Sequence, residues 1–100
     1  MKQILSHEEI IRILKIEKKN LRDEFGVLNI GLFGSYLKGT QRIDSDIDFI
    51  VELKEPRFEW LSGLQIFLEE KFDKKIELVR KSDNVNRLFI QRIGNEVIYA

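Results

Sequence analysis

Three aspartates at alternate positions, Asp44, Asp46 and Asp48, lead into the apolar run 47–53, and a Gly34-Ser35 pair follows the apolar run before it. Like charges this close repel one another, and carboxylates are poorly placed at the edge of a packed strand. A cation among them removes both objections. The chain has no cysteine and a single histidine, His7, so the available donors are oxygens. Such a set suits Mg²⁺ or Mn²⁺, which take a few carboxylates and complete their shells with water and phosphate oxygens. The Gly-Ser pair supplies the complement. Glycine permits a tight backbone, the N–H groups of a following helical turn attract anions, and the Ser35 hydroxyl adds one donor. Metal on one side and anion-binding backbone on the other suggest a nucleoside triphosphate.

The elements that must position these groups follow from periodicity. Ser6 with Glu9 resembles a capping box, and Ile10, Leu14, Leu21 and Phe25 fall on one stripe, which predicts a first helix over 6–25. Residues 28–33 read as a strand, Gly34-Ser35 and Gly39-Thr40 bound a turn, and 47–53 is a second strand. Pro56 suits the first turn of a helix carrying Phe58, Leu61, Leu64, Leu68 and Phe72. A third strand over 75–79, a last helix from Ser82 or Asp83 through Ile93, and a short strand at 97–99 complete the order. The expected fold is a single α/β domain, 1–100, with a small mixed β-sheet and helices packed on one face.

Strand parity then tells the faces apart. Ile47, Phe49, Val51 and Leu53 share an apolar face, which puts Asp46 and Asp48 on the other with Ile50 and Glu52. If Ile76 and Leu78 join the buried face, Glu77 emerges beside the aspartates. Leu28, Ile30 and Leu32 take the buried parity of the first strand and leave Gly31 on the carboxylate side, where it admits a close approach.

Gly34-Ser35, ten intervening residues, then Asp46-Ile47-Asp48 resembles the Gly-Ser/Asp-x-Asp signature of the DNA polymerase beta-like nucleotidyltransferases, and the short chain resembles their minimal group. The resemblance implies that Asp46 and Asp48 hold metal and that Gly34 and Ser35 meet the nucleotide. It makes Glu77 the third carboxylate, a metal ligand that positions or deprotonates an attacking hydroxyl. Glu77 stands where that family often has Asp, and the extra methylene reaches about 1.5 Å further. The reaction implied is Mg²⁺- or Mn²⁺-dependent transfer of a nucleoside monophosphate, AMP from ATP, to a hydroxyl. The minimal group also resembles the antitoxins paired with HEPN-type toxins, some of which modify a tyrosine of their partner. A non-catalytic module on the same scaffold, neutralising its partner by contact, is the competing function class.

Composition and charge bound the rest. The chain is 43% hydrophobic and 34% charged, an ordinary globular balance, with no apolar run of membrane-spanning length and no signal-peptide layout, so a cytoplasmic protein is expected. A formal net charge of +0 argues against nucleic acid as the main partner. A calcium loop on Asp44, Asp46, Asp48 and Glu55 fails because Phe49 stands where that loop needs glycine. Lys38 and Arg42 lie where they could reach phosphates, although exposed basic loop residues are common. Trp60 and Phe67, seven apart, read either as a wide core stripe or as a partner surface.

Overall fold

A computed structural model of the chain describes residues 5–81 and 96–100. Its elements are α1 (His7–Ile16), α2 (Lys18–Phe25), β1 (Val27–Phe33), α3 (Ser35–Lys38), β2 (Ile47–Leu53), α4 (Phe58–Phe72), β3 (Ile76–Arg80) and β4 (Ile98–Tyr99). The sheet runs β3-β2-β1-β4. β1 is antiparallel to β2 and β4, while β2 and β3 are parallel and are joined through α4, the crossover that a parallel pair requires. This is the expected mixed sheet with helices against one face. The helix expected to end at Ile93 lies outside the described residues.

The core is the face predicted by parity. Ile30, Leu32, Ile47, Phe49, Val51 and Ile76 pack with Ile10, Leu14 and Leu21 from the first helices and with Leu64, Leu68 and Phe72 of α4. The Phe49 and Phe72 rings stand 5.9 Å apart, a separation at which tilted aromatic pairs attract. Ser6 caps α1 as predicted, its Oγ accepting from the Glu9 N–H at 3.2 Å.

Four local expectations are corrected. The first helix bends into α1 and α2 at Glu17, whose backbone has ψ near 0 and whose carboxylate accepts from Lys71 of α4 at 3.0 Å. The ladder still crosses the joint through Leu21 N–H to Glu17 O, 2.8 Å. In β1 the register slips between Val27 and Asn29, so Val27 is buried and Leu28 turns outward. A bulge inserts one residue, and a period-two pattern then changes face. α4 starts at Phe58, two residues after Pro56, because Arg57 takes the extended N-cap position, held by Glu55 and stacked 4.9 Å over Trp60. Phe58, assigned to the apolar stripe, is 80% exposed.

Trp60 and Phe67 are both half-buried. The Trp60 ring lies against Gly26, and Phe67 packs on Phe25 with centroids 5.8 Å apart, which supports the wide core stripe.

Candidate active site

β2 and β3 start side by side, and their register pairs Asp48 with Glu77. On its other flank Asp48 faces Phe33, the last residue of β1. The chain then turns through Gly34, with φ 79° and ψ −152°, into the single turn of α3. This backbone brings Gly34 against the Asp48 carboxylate: a Cβ on Gly34 would overlap Oδ2 and stand 3.0 Å from Cγ. The Gly34 carbonyl accepts from Leu37 and Lys38, both at 3.1 Å, and wholly buried Tyr36 anchors the turn below. Ser35, half-buried, opens α3.

Asp46 precedes β2, at the end of a loop tied down at several points. Gln41 Nε2 donates to Leu5 O at 3.0 Å, the Arg42 N–H donates to Ser45 Oγ at 2.7 Å, and Lys74 Nζ donates to Ile43 O. These anchors were not legible in the sequence, because each joins segments distant in the chain or depends on an unremarkable polar residue.

Glu77, in register beside it, and Asp46, two residues before it, therefore both act on Asp48. Burial first, then the hydrogen bond and charge of Glu77, then the charge of Asp46, push the Asp48 carboxyl from 3.8 up to about 6. One expectation is corrected, and another is met from within the chain. The carboxylate face is not open along its whole length, since Ile50 is 1% exposed. Gly31 is approached by the chain itself, through Val97 and Tyr99. Lys38 pairs with Glu96 at 3.4 Å, and Glu52 accepts from Asn29 at 2.9 Å.

The raised carboxyl has a consequence for stability. A folded-state value above the ordinary one favours the folded chain at low pH, and that contribution fades as pH rises from about 4 through about 6. Asp48→Asn, isosteric and uncharged, is expected to raise the melting temperature of the nucleotide-free protein at neutral pH, with the difference closing towards pH 4. Thermal melts across this range check it. A difference that does not vary with pH would mean that the charge is not what destabilises the site.

A model of the nucleotidyltransferase domain family matches residues 12–99, and the chain belongs to that family. It is 38% identical over 98 residues to the protein adenylyltransferase MntA of Thermococcus cleftensis, an alignment covering 97% of this chain and 98% of that protein. Among solved structures it resembles MntA in a toxin–antitoxin complex, with a TM-score of 0.67, 25% identity and coverage of 95% of this chain and 72% of that one. It also shares the fold of a chain in the complex of a tri-AMPylated Shewanella oneidensis HEPN toxin with its MNT antitoxin. There the TM-score is 0.60, identity 21%, and coverage 88% of this chain and 69% of that one. Among the described residues no helix is long and apolar enough to cross a membrane.

Proposed function

We propose that the chain transfers AMP from ATP to a hydroxyl group on a HEPN-type partner protein, using a divalent metal ion. The observation that carries this reading is the Asp48 carboxylate seated on the bare Gly34 backbone, with Glu77 beside it in register and the charge of Asp46 acting on it from just before β2. The adenylyltransferase name of the T. cleftensis relative and the toxin–antitoxin setting of the structural neighbours support the acceptor class.

The donor chemistry fits Mg²⁺ or Mn²⁺: the carboxylates are hard oxygens, and burial first, then the neighbouring carboxylates Glu77 and Asp46, raise the Asp48 carboxyl. Asp46 and Asp48 would hold the ion, with Glu77 within reach through Asp48. When bound, it would offset triphosphate charge and stabilise the attacking and leaving oxygens. The chain's own groups do the rest. Gly34 lets phosphate oxygens approach the backbone, and the first N–H groups of α3 with the Ser35 hydroxyl orient them. Glu77, exposed and paired with Asp48 across the strands, accepts the acceptor's proton as the acceptor oxygen attacks the α-phosphorus and the bond to pyrophosphate breaks.

Among the described residues no three His, Cys, Asp or Glu side chains form a ready-made metal cluster. Metal and triphosphate are therefore expected to bind jointly, each completing the other's contacts. Asp46→Asn and Asp48→Asn should each weaken MgATP binding by about tenfold or more while leaving the fold intact, as read by calorimetry and circular dichroism. Parental affinity in both variants would refute the metal assignment. Glu77, standing where the resembled family often has Asp, favours a second reading, a scaffold that neutralises its partner by contact alone. Labelled ATP, Mg²⁺ and the co-encoded partner decide between them: label on the partner supports transfer, and neutralisation without label supports contact.

A further inference from the structure

Three adjoining hollows run along the helix side of the sheet, away from the carboxylates. The first, about 420 Å³, lies between α1 and Ile98. It shares Lys15 with the second, about 380 Å³, between α2 and the start of β1. The second shares Arg22 and Leu28 with the third, about 320 Å³, which reaches Lys54. Together they form one trough beside α1 and α2, helices that span about 27 Å at 1.5 Å per residue.

The wall of the trough carries Arg12, Lys15, Lys18, Lys19, Arg22 and Lys54, all exposed. None of the six is ion-paired with another described residue; the pairs that do form engage Lys38, Arg57, Lys71 and His7. Glu8 and Asp23 are the acids on the lining. In a chain of net charge +0 this is a local excess of unmatched cations. Beside them stand exposed aliphatic side chains, Ile16 at 72%, Leu28 at 42% and Ile98 at 40%. Cations alone attract any polyanion, but aliphatic groups reward only an occupant that also brings apolar surface.

We propose that this trough docks an extended acidic segment of a partner protein, one that carries aliphatic side chains between its carboxylates. At about 3.3 Å per residue, the trough accommodates roughly eight extended residues. Nucleic acid is the poorer fit, because among the described residues no Phe, Tyr or Trp lines the three hollows, leaving the His7 imidazole as the one ring there that could stack a base. Asp48 lies on the opposite face of β2 from the side chains that pack on α1, α2 and α4, so an occupant of the trough leaves the carboxylates uncovered. Docking here would hold a partner at high local concentration without blocking its approach to the site. The inference does not depend on whether transfer occurs.

Fluorescence anisotropy of the full chain tests it with three labelled probes: a ten-residue peptide alternating Glu and Leu, a Glu/Gly peptide of equal charge, and a uridine decanucleotide. The Glu/Leu peptide is expected to bind at least about tenfold more tightly than the other two. Lys18→Glu/Lys19→Glu should weaken it by about tenfold or more, as should the milder Lys15→Gln/Arg22→Gln, with circular dichroism and MgATP affinity unchanged. Equal binding of all three probes, preference for the oligonucleotide, or peptide affinity unmoved in a folded variant would overturn the proposal.

Discussion

Glu77→Gln is expected to lower nucleotide transfer by roughly 10²-fold or more, the scale on which loss of a general base is felt. The substitution keeps size and hydrogen-bonding capacity at the position paired with Asp48 and removes only basicity and charge. MgATP affinity should change far less than the transfer rate, and partner binding hardly at all. Glu77→Asp separates position from charge. Its carboxylate withdraws by about 1.5 Å from the acceptor's position while keeping its charge beside Asp48, so an intermediate loss of about tenfold is expected. Single-turnover transfer of labelled AMP reads all three proteins. If parent and both variants show no transfer yet still neutralise the partner, the contact-only reading stands in place of catalysis.

Gly34→Ala should be more damaging to the nucleotide site than any change at Ser35. Two costs coincide at Gly34. Its φ of 79° and ψ of −152° lie in a region essentially reserved for glycine, where another residue costs about 1–3 kcal/mol. Its Cβ would also occupy the position of the Asp48 carboxylate oxygen. Gly39 supplies the control, because its φ is 76° but nothing lies within 4 Å of a Cβ there. Gly39→Ala should therefore lower stability through backbone strain alone and leave ATP affinity intact. Gly34→Ala should lower both, with a melting temperature down by several degrees and ATP binding weakened by more than tenfold. Ser35→Ala removes one hydrogen bond, worth about 1 kcal/mol. Combining Gly34→Ala with Asp48→Ala should recover part of the stability by removing the overlap, a coupling that a double-mutant cycle measures. Additive effects in that cycle would show that the glycine serves the turn and not the carboxylate.

Much of the arrangement is legible in the sequence. The alternation of Ile47, Phe49 and Val51 placed Asp48 on the far face of β2, because a strand leaves a side chain no third direction. The same rule brought out Glu77, and Gly34-Ser35 between two strands marked the turn. Periodicity could also place Leu64, Leu68 and Phe72 against the sheet, since the stripe and the core are one constraint.

What pattern could not supply depends on contacts between distant segments. The strand order that sets Asp48 between Phe33 and Glu77 follows from which strands pair, and parity is silent on pairing. The bulge that turns Leu28 outward and Val27 inward has no local mark, since either residue is apolar enough for the core. The bend at Glu17 comes with a contact to Lys71, 54 residues away, which no local pattern announces. The basic trough appears only when α2, the start of β1 and Lys54 come together, because charges scattered along a neutral sequence have no spatial sign until the chain folds. Residue types and their spacing thus determined which groups could do chemistry and which way each strand had to face. Long-range packing decided which of those groups met, and raised the Asp48 carboxyl by enclosing it among its neighbours. Side-chain direction is a property of the local backbone, whereas proximity and burial belong to the whole fold.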